Sequence, residues 1–237
     1  MPRDAHGLLA LLTLWFLFPL APAMAEPLAP VPAEAPFAAE INAFAAADAA
    51  SPPKPCPILF VGSSTIRFWR GLAADMAPYD VVNRGFGGSQ IANVDAYFDR
   101  VVAPYHPRAI VFYAGDNDIH AGKAPAAVAA DFDTFLGLKD KALGATPVYF
   151  ISLKPSKARF GELAAQGEVN RLVKAEAARR RDLIFIDVTQ AMLADGQPKD
   201  IFVADGLHMT PAGYALWTPI VHGALDQTGP ARLPCPR

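Results

Sequence analysis

Four short segments bring together a hydroxyl, glycine turns, a side-chain amide and an Asp/His pair. These are the parts that nucleophilic attack with a stabilised oxyanion requires. The first is Gly62-Ser63-Ser64-Thr65, which follows an apolar run and opens into Ile66-Arg67-Phe68-Trp69. A hydroxyl at a strand-to-helix turn lies beside free backbone N–H groups, where negative charge is favoured. Alone, the segment is more often a capped turn, since Ser and Thr are the usual N-caps. The second is Asn83-Arg84-Gly85-Phe86-Gly87-Gly88-Ser89, whose glycines permit tight turns and close approach of backbone to a ligand. A plain flexible turn is its alternative; the G-x-G-x-x-G spacing of a dinucleotide site is incomplete. The third is Gly115-Asp116-Asn117-Asp118. The Asn117 amide could donate to a developing oxyanion, although Asn and Asp are also ordinary turn residues. Asp116 and Asp118 supply too few oxygen ligands for a cation site. The fourth is Asp205-Gly206-Leu207-His208. Three residues apart on a loop, a carboxylate can turn back onto one imidazole nitrogen and leave the other as a base. A D-x-x-H also arises by chance.

These segments need a frame that gathers them. Residues 58–61, 80–83, 109–113, 148–151 and 183–186 are short runs rich in Val, Ile and Phe, as parallel strands covered on both faces require. Helical stretches separate them: a short one after Thr65, then 91–102, 125–143 and 161–181. A first helix over 36–49 shows Phe37, Ile41 and Phe44 at helical spacing, and a last one runs from Pro211 to about Asp226 behind a Thr210 N-cap. Strand and helix in alternation predict a parallel sheet with helices on both faces, whose ligand site lies at the carboxyl ends of the strands. Three of the four segments follow the first three strands, and the fourth precedes the last helix.

In order and spacing the four segments resemble the SGNH hydrolases, the GDSL-type esterases and lipases. The resemblance covers the chain from Leu59 to about Gly213. It implies a three-layer α/β/α sandwich with a flavodoxin-like five-stranded parallel sheet, and a Ser-His-Asp acyl-enzyme mechanism without metal or organic cofactor. Carried over residue by residue, Ser64 matches the nucleophile, Gly88 the backbone oxyanion donor and Asn117 the side-chain donor, with Asp205 and His208 completing the triad. The family's Asp in Gly-Asp-Ser is Ser63 here, so Ser63 is a second candidate nucleophile. Short acyl or O-acetyl esters are the expected substrates on family precedent, with lysophospholipids as the alternative. Phe68, Trp69 and Phe86 could line a pocket or belong to the core. The segment 151–156 could form part of the pocket rim, or be an ordinary loop with a solvated Lys154. The rival from another class is a non-catalytic flavodoxin-like module holding phosphate at Gly62–Thr65, which leaves Asp205 and His208 unexplained.

The 237 residues suit one domain, over 36–237. A formal net charge of -2 offers no polybasic face for nucleic acid. At the N-terminus Arg3, an apolar run from Leu8 to Leu20, and Ala23-Met24-Ala25 read as a signal peptide, residues 1–25, followed by a Pro/Ala-rich linker, 26–35. The run is broken by Pro19 and Pro22, short of the roughly 20 apolar residues of a membrane span. A periplasmic or secreted protein is expected. In that compartment Cys56 and Cys235 can pair, with two free thiols as the alternative. The predicted topology favours pairing. Cys56 precedes the first strand, and a final helix antiparallel to the sheet returns Cys235 to the same end.

Overall fold

The structure is a computed structural model that describes residues 28–229 and Cys235. The expected signal peptide lies outside the described residues. The first helix, α1 (Ala38–Ala50), is followed by β1 (Ile58–Gly62), α2 (Ser64–Arg67), α3 (Leu72–Asp75) and β2 (Val81–Gly85). Next come α4 (Ile91–Ala96), α5 (Phe98–Val101), a 3-10 turn at Ala103–Tyr105, β3 (Ala109–Tyr113), α6 (Asp116–His120) and α7 (Pro125–Leu143). The chain continues through β4 (Val148–Ile151), a 3-10 turn at Phe160–Glu162, α8 (Leu163–Ala177) and β5 (Leu183–Ile186). A further 3-10 turn, Gln190–Met192, leads to a small hairpin of β6 (Leu193–Ala194) and β7 (Gln197–Pro198), and the chain ends in α9 (Pro211–Thr228).

The five long strands are parallel in the order β2-β1-β3-β4-β5, so the chain reverses direction across the sheet between β1 and β3. Every residue of β1, β3 and β4 is buried, which explains their unbroken apolar runs. Gly62 pairs with Gly85 on one side and Tyr113 on the other, so β1, β2 and β3 end level. The three segments after them therefore emerge side by side at the switch point, where ligands of open α/β sheets bind. Gly62 is required there: its φ is +136°, and a Cβ would stand 1.9 Å from the Tyr113 carbonyl oxygen.

Several elements differ from the sequence expectation. The second strand extends through Arg84 and Gly85. Arg84 is accommodated because its guanidinium pairs with Asp48 of α1 and its Nε donates to the Tyr105 hydroxyl at 2.5 Å. The helix expected over 91–102 is broken at Tyr97, whose hydroxyl bonds the Pro36 carbonyl. The helix expected over 161–181 begins as a 3-10 turn and ends at Ala177; beyond it Arg180 pairs with Asp140 and Asp182. Thr210 precedes α9 in extended conformation, but its hydroxyl donates to the Ile201 carbonyl at 3.1 Å and closes the preceding loop rather than capping the helix. In the expected linker, Val31 is buried, and its N–H and C=O both bond the Asn42 amide. Cys56 and Cys235 are joined, with Cα atoms 5.6 Å apart. No helix among the described residues is long and apolar enough to cross a membrane.

Candidate active site

The two serines that end β1 meet opposite surroundings. Ser63 donates its backbone N–H to the Tyr113 carbonyl at 2.9 Å, and its side chain is fully buried, with an oxygen that has no partner among the described residues. Ser64, one residue on, opens α2, and its Oγ lies 3.0 Å from His208 Nε2. His208 Nδ1 in turn lies 2.6 Å from Asp205 Oδ2. The other Asp205 oxygen accepts the backbone N–H groups of Leu207 (2.8 Å) and His208 (2.9 Å), so the carboxylate and the loop fix each other. Partial burial alone would raise the Asp205 pKa, but the His208 ring and those two backbone donors outweigh it and hold the carboxyl at about 2. An ionised carboxylate can only accept, so the imidazole proton belongs on Nδ1 and Nε2 is left to accept from Ser64.

The loop that carries the pair is held from several sides. Val203 N–H donates to the His208 carbonyl, Phe202 bridges Met209, and Ala158 N–H donates to the Gly206 carbonyl at 3.0 Å. Phe68 stands edge-on to the His208 ring, with centroids 4.9 Å apart. A pocket of about 280 Å³ beside them is lined by Phe68, Arg70, Met209, Pro211 and Tyr214. A larger cavity, about 530 Å³, lies between α1 and the Ala103–Tyr105 turn and contains none of the residues discussed in this site. Trp69 and Phe86 are both buried; Trp69 stacks on Tyr214 and also contributes to the wall of the smaller pocket, while Phe86 belongs to the core.

Gly88 sits in the loop after β2 with φ at +78°. Its N–H and that of Ser64 have no acceptor among the described residues. The loop is tied down around it. Ser89 Oγ approaches the carbonyls of Gly62 and Phe86, and Gly87 N–H donates to Glu40 Oε1 at 3.0 Å. The same Glu40 oxygen pairs with Arg67 of α2 at 2.8 Å, and Phe37 packs edge-on against Phe86. Through these contacts α1 braces both the Gly88 loop and the Ser64 turn. Asn117, on α6, donates its amide to the Ser89 carbonyl at 3.0 Å and accepts from Arg159 at 2.9 Å.

Asp116 and Asp118 are taken up in ion pairs, the first with Lys154 and Arg159, the second with Lys123. Lys154 is not solvated, contrary to the ordinary-loop alternative: it is 1% exposed. Its ammonium reaches Thr65 Oγ1 (3.1 Å) and the Tyr113 hydroxyl (3.3 Å), so the 151–156 segment packs under the Ser64 turn. Glu40, Lys154 and Arg159 were not picked out as site residues from the sequence. The signal available was Lys154 and Arg159 in one loop at the carboxyl end of a strand; Glu40 carried none, because its partners lie 27 and 47 positions away.

Residues 60–216 match the GDSL-like Lipase/Acylhydrolase family. No curated protein matches the sequence. Among solved structures, the chain is similar to a GDSL-like lipase from Bacteroides thetaiotaomicron at 18% identity and TM-score 0.68, covering 79% of this chain and 98% of that one. An acetylxylan esterase from Geobacillus stearothermophilus matches at 15% identity and TM-score 0.59, over 73% and 93% of the two chains. A carbohydrate esterase family 3 protein from Talaromyces cellulolyticus matches at 16% identity and TM-score 0.59, over 73% and 97%. At these identities the likeness is one of fold.

Proposed function

The chain belongs to the GDSL-like lipase/acylhydrolase family and is an ester-hydrolysing enzyme, and from that premise we propose that it cleaves short-chain acyl or O-acetyl esters through a Ser64 acyl-enzyme. The observation that carries this reading is the unbroken chain Ser64 Oγ, His208, Asp205 at 3.0 and 2.6 Å. His208 Nε2 takes the Ser64 proton as Oγ attacks the ester carbonyl, and Asp205 stabilises the imidazolium that forms. The tetrahedral oxyanion is held by the Ser64 and Gly88 N–H groups and the Asn117 amide. His208 then returns the proton to the departing alcohol, and water hydrolyses the acyl-enzyme by the same route in reverse.

Ser63 is a poor rival nucleophile, since its oxygen is buried and out of the hydrogen-bonded chain. A non-catalytic phosphate module is set aside by the family assignment and leaves the Ser64–His208–Asp205 chain without a purpose. Acetyl and other short acyl groups rank first because esterases of acetylated xylan share the fold. The signal-peptide pattern and the Cys56–Cys235 bond support a periplasmic or secreted enzyme.

The test is hydrolysis of chromogenic p-nitrophenyl esters from acetate to palmitate. Turnover is expected to be fastest on acetate, to vanish in Ser64→Ala and to survive in Ser63→Ala. A preference for long acyl chains would favour a lipid substrate, and an active Ser64→Ala beside a dead Ser63→Ala would reverse the nucleophile assignment.

A further inference from the structure

Arg159 is 8% exposed, lies in the loop after β4, and has one of its nitrogens 2.9 Å from the Asn117 side-chain oxygen. A guanidinium has donors only, so the Asn117 atom facing it must be the amide oxygen. The amide nitrogen is thereby set on the other side, where one N–H goes to the Ser89 carbonyl at 3.0 Å and the second meets no acceptor among the described residues. Behind the amide, Arg159 Nη1 (3.3 Å) and Lys154 Nζ (3.5 Å) share a single Asp116 oxygen. Burial lowers the Lys154 pKa, with Asp116 opposing and Arg159 adding to the effect. Of the two cations in this cluster, Arg159 is the one bonded to Asn117.

We propose that Arg159 is a positioning residue for the oxyanion site: it locks the orientation of the Asn117 amide and, by drawing charge onto the amide oxygen, strengthens the N–H that meets the oxyanion. The inference rests on the assignment of Asn117 as an oxyanion donor. Hydrogen bonds in series polarise one another, and the effect is larger away from water, which suits a cation buried behind the donor. Arg159 acts through Asn117 and does not itself touch the reacting atoms.

The experiment is a double-mutant cycle on acetate-ester turnover with Asn117→Ala and Arg159→Met. Arg159→Met alone should lower kcat roughly 10–100-fold, the loss of one charged hydrogen bond, with KM changed less than about threefold. In the Asn117→Ala background the same substitution should cost less than about threefold. Arg159→Lys, which keeps a charge and a donor, should fall between wild type and Arg159→Met, and it carries the same cycle if the methionine variant does not fold. Equal losses in both backgrounds, or an unchanged kcat in the Arg159 variants, overturn this inference alone. An Asn117→Ala enzyme with full kcat overturns the Asn117 assignment and this inference with it.

Discussion

Ser63 and Ser64 have the same side chain and differ by one position, yet one oxygen is sealed in the core and the other lies against an imidazole. The difference comes from the turn out of β1, where the direction of the side chain alternates as the strand gives way to α2. Asp205 has an equally local logic. It accepts two backbone N–H groups of its own loop as well as the His208 ring, so its carboxyl stays ionised far into the acid range. Its depressed pKa, about 2 against an ordinary 3.8, makes it a stabilising group above about pH 4, with that contribution lost as the pH falls towards 2. The side chain is mostly exposed, so its part in stability is small. Asp205→Asn is therefore expected to reduce kcat about 10²–10⁴-fold at pH 7, through loss of the Nδ1 tautomer and of the imidazolium's partner. Thermal unfolding should move by no more than a few degrees, and steady-state kinetics beside a melting curve checks both halves.

At the scale of elements, α4 and α7 face each other across a cluster of three acids and one lysine. Asp95 of α4 has a buried oxygen without a partner among the described residues. Burial, then the charges of Asp131 and Asp118, raise its pKa to about 7, with Lys123 only partly offsetting them. The folded state therefore holds this proton more tightly than the unfolded chain, so the carboxyl is harmless below about pH 4 and increasingly destabilising as the pH climbs to about 7. Asp95→Asn is expected to stabilise the protein at pH 8 by about 1–2 kcal/mol, a figure reduced for solvent screening, and by much less at pH 4. Chemical unfolding of both proteins at the two pH values reads the difference. On the opposite flank, α1 meets the site through Glu40, and Phe37 just before the helix packs on Phe86, which gives a segment outside the family-matched residues a place in the architecture of the Gly88 loop.

Over the whole molecule the Cys56–Cys235 bond spans a separation of 179 residues. Cys56 stands just before β1, at the end of the sheet opposite Ser64, and α9 begins beside His208 and returns to that end. There Tyr79 donates to Asp226 at 2.6 Å, and Tyr149 meets Thr228. The bond closes a path that already pins α9, and with it the Asp205–His208 loop, onto the sheet. Chain-entropy reasoning for a loop this long allows about 5 kcal/mol, and measured bonds more often give about 2–4. Replacing both cysteines by serine is expected to lower the melting temperature by about 5–15 °C while leaving acetate-ester turnover at 25 °C near the wild-type rate. A comparable loss of turnover in the still-folded variant would show that the bond also sets the active-site loop.

The alternation of apolar runs with helical stretches determined the parallel sheet, because a strand covered on both faces must be apolar throughout. The same periodicity put the four polar segments at the carboxyl ends and before α9. Motif order picked out Ser64, Gly88, Asn117, Asp205 and His208. What it left open was decided by contacts between residues far apart in the chain. Burial separated Ser63 from Ser64, and the pairing of Arg84 with Asp48 let a charged residue lie within β2. Along the chain the segment with Lys154 reads equally as a pocket rim or as a loop with a solvated lysine, and it is Thr65, Tyr113 and Asp116 around the ammonium that exclude the solvated one. Glu40 is invisible along the chain and Arg159 is marked there only by its place in a loop at a strand end, since each takes its meaning from partners dozens of residues away, and only tertiary packing brings a charge and its counter-charge together out of water.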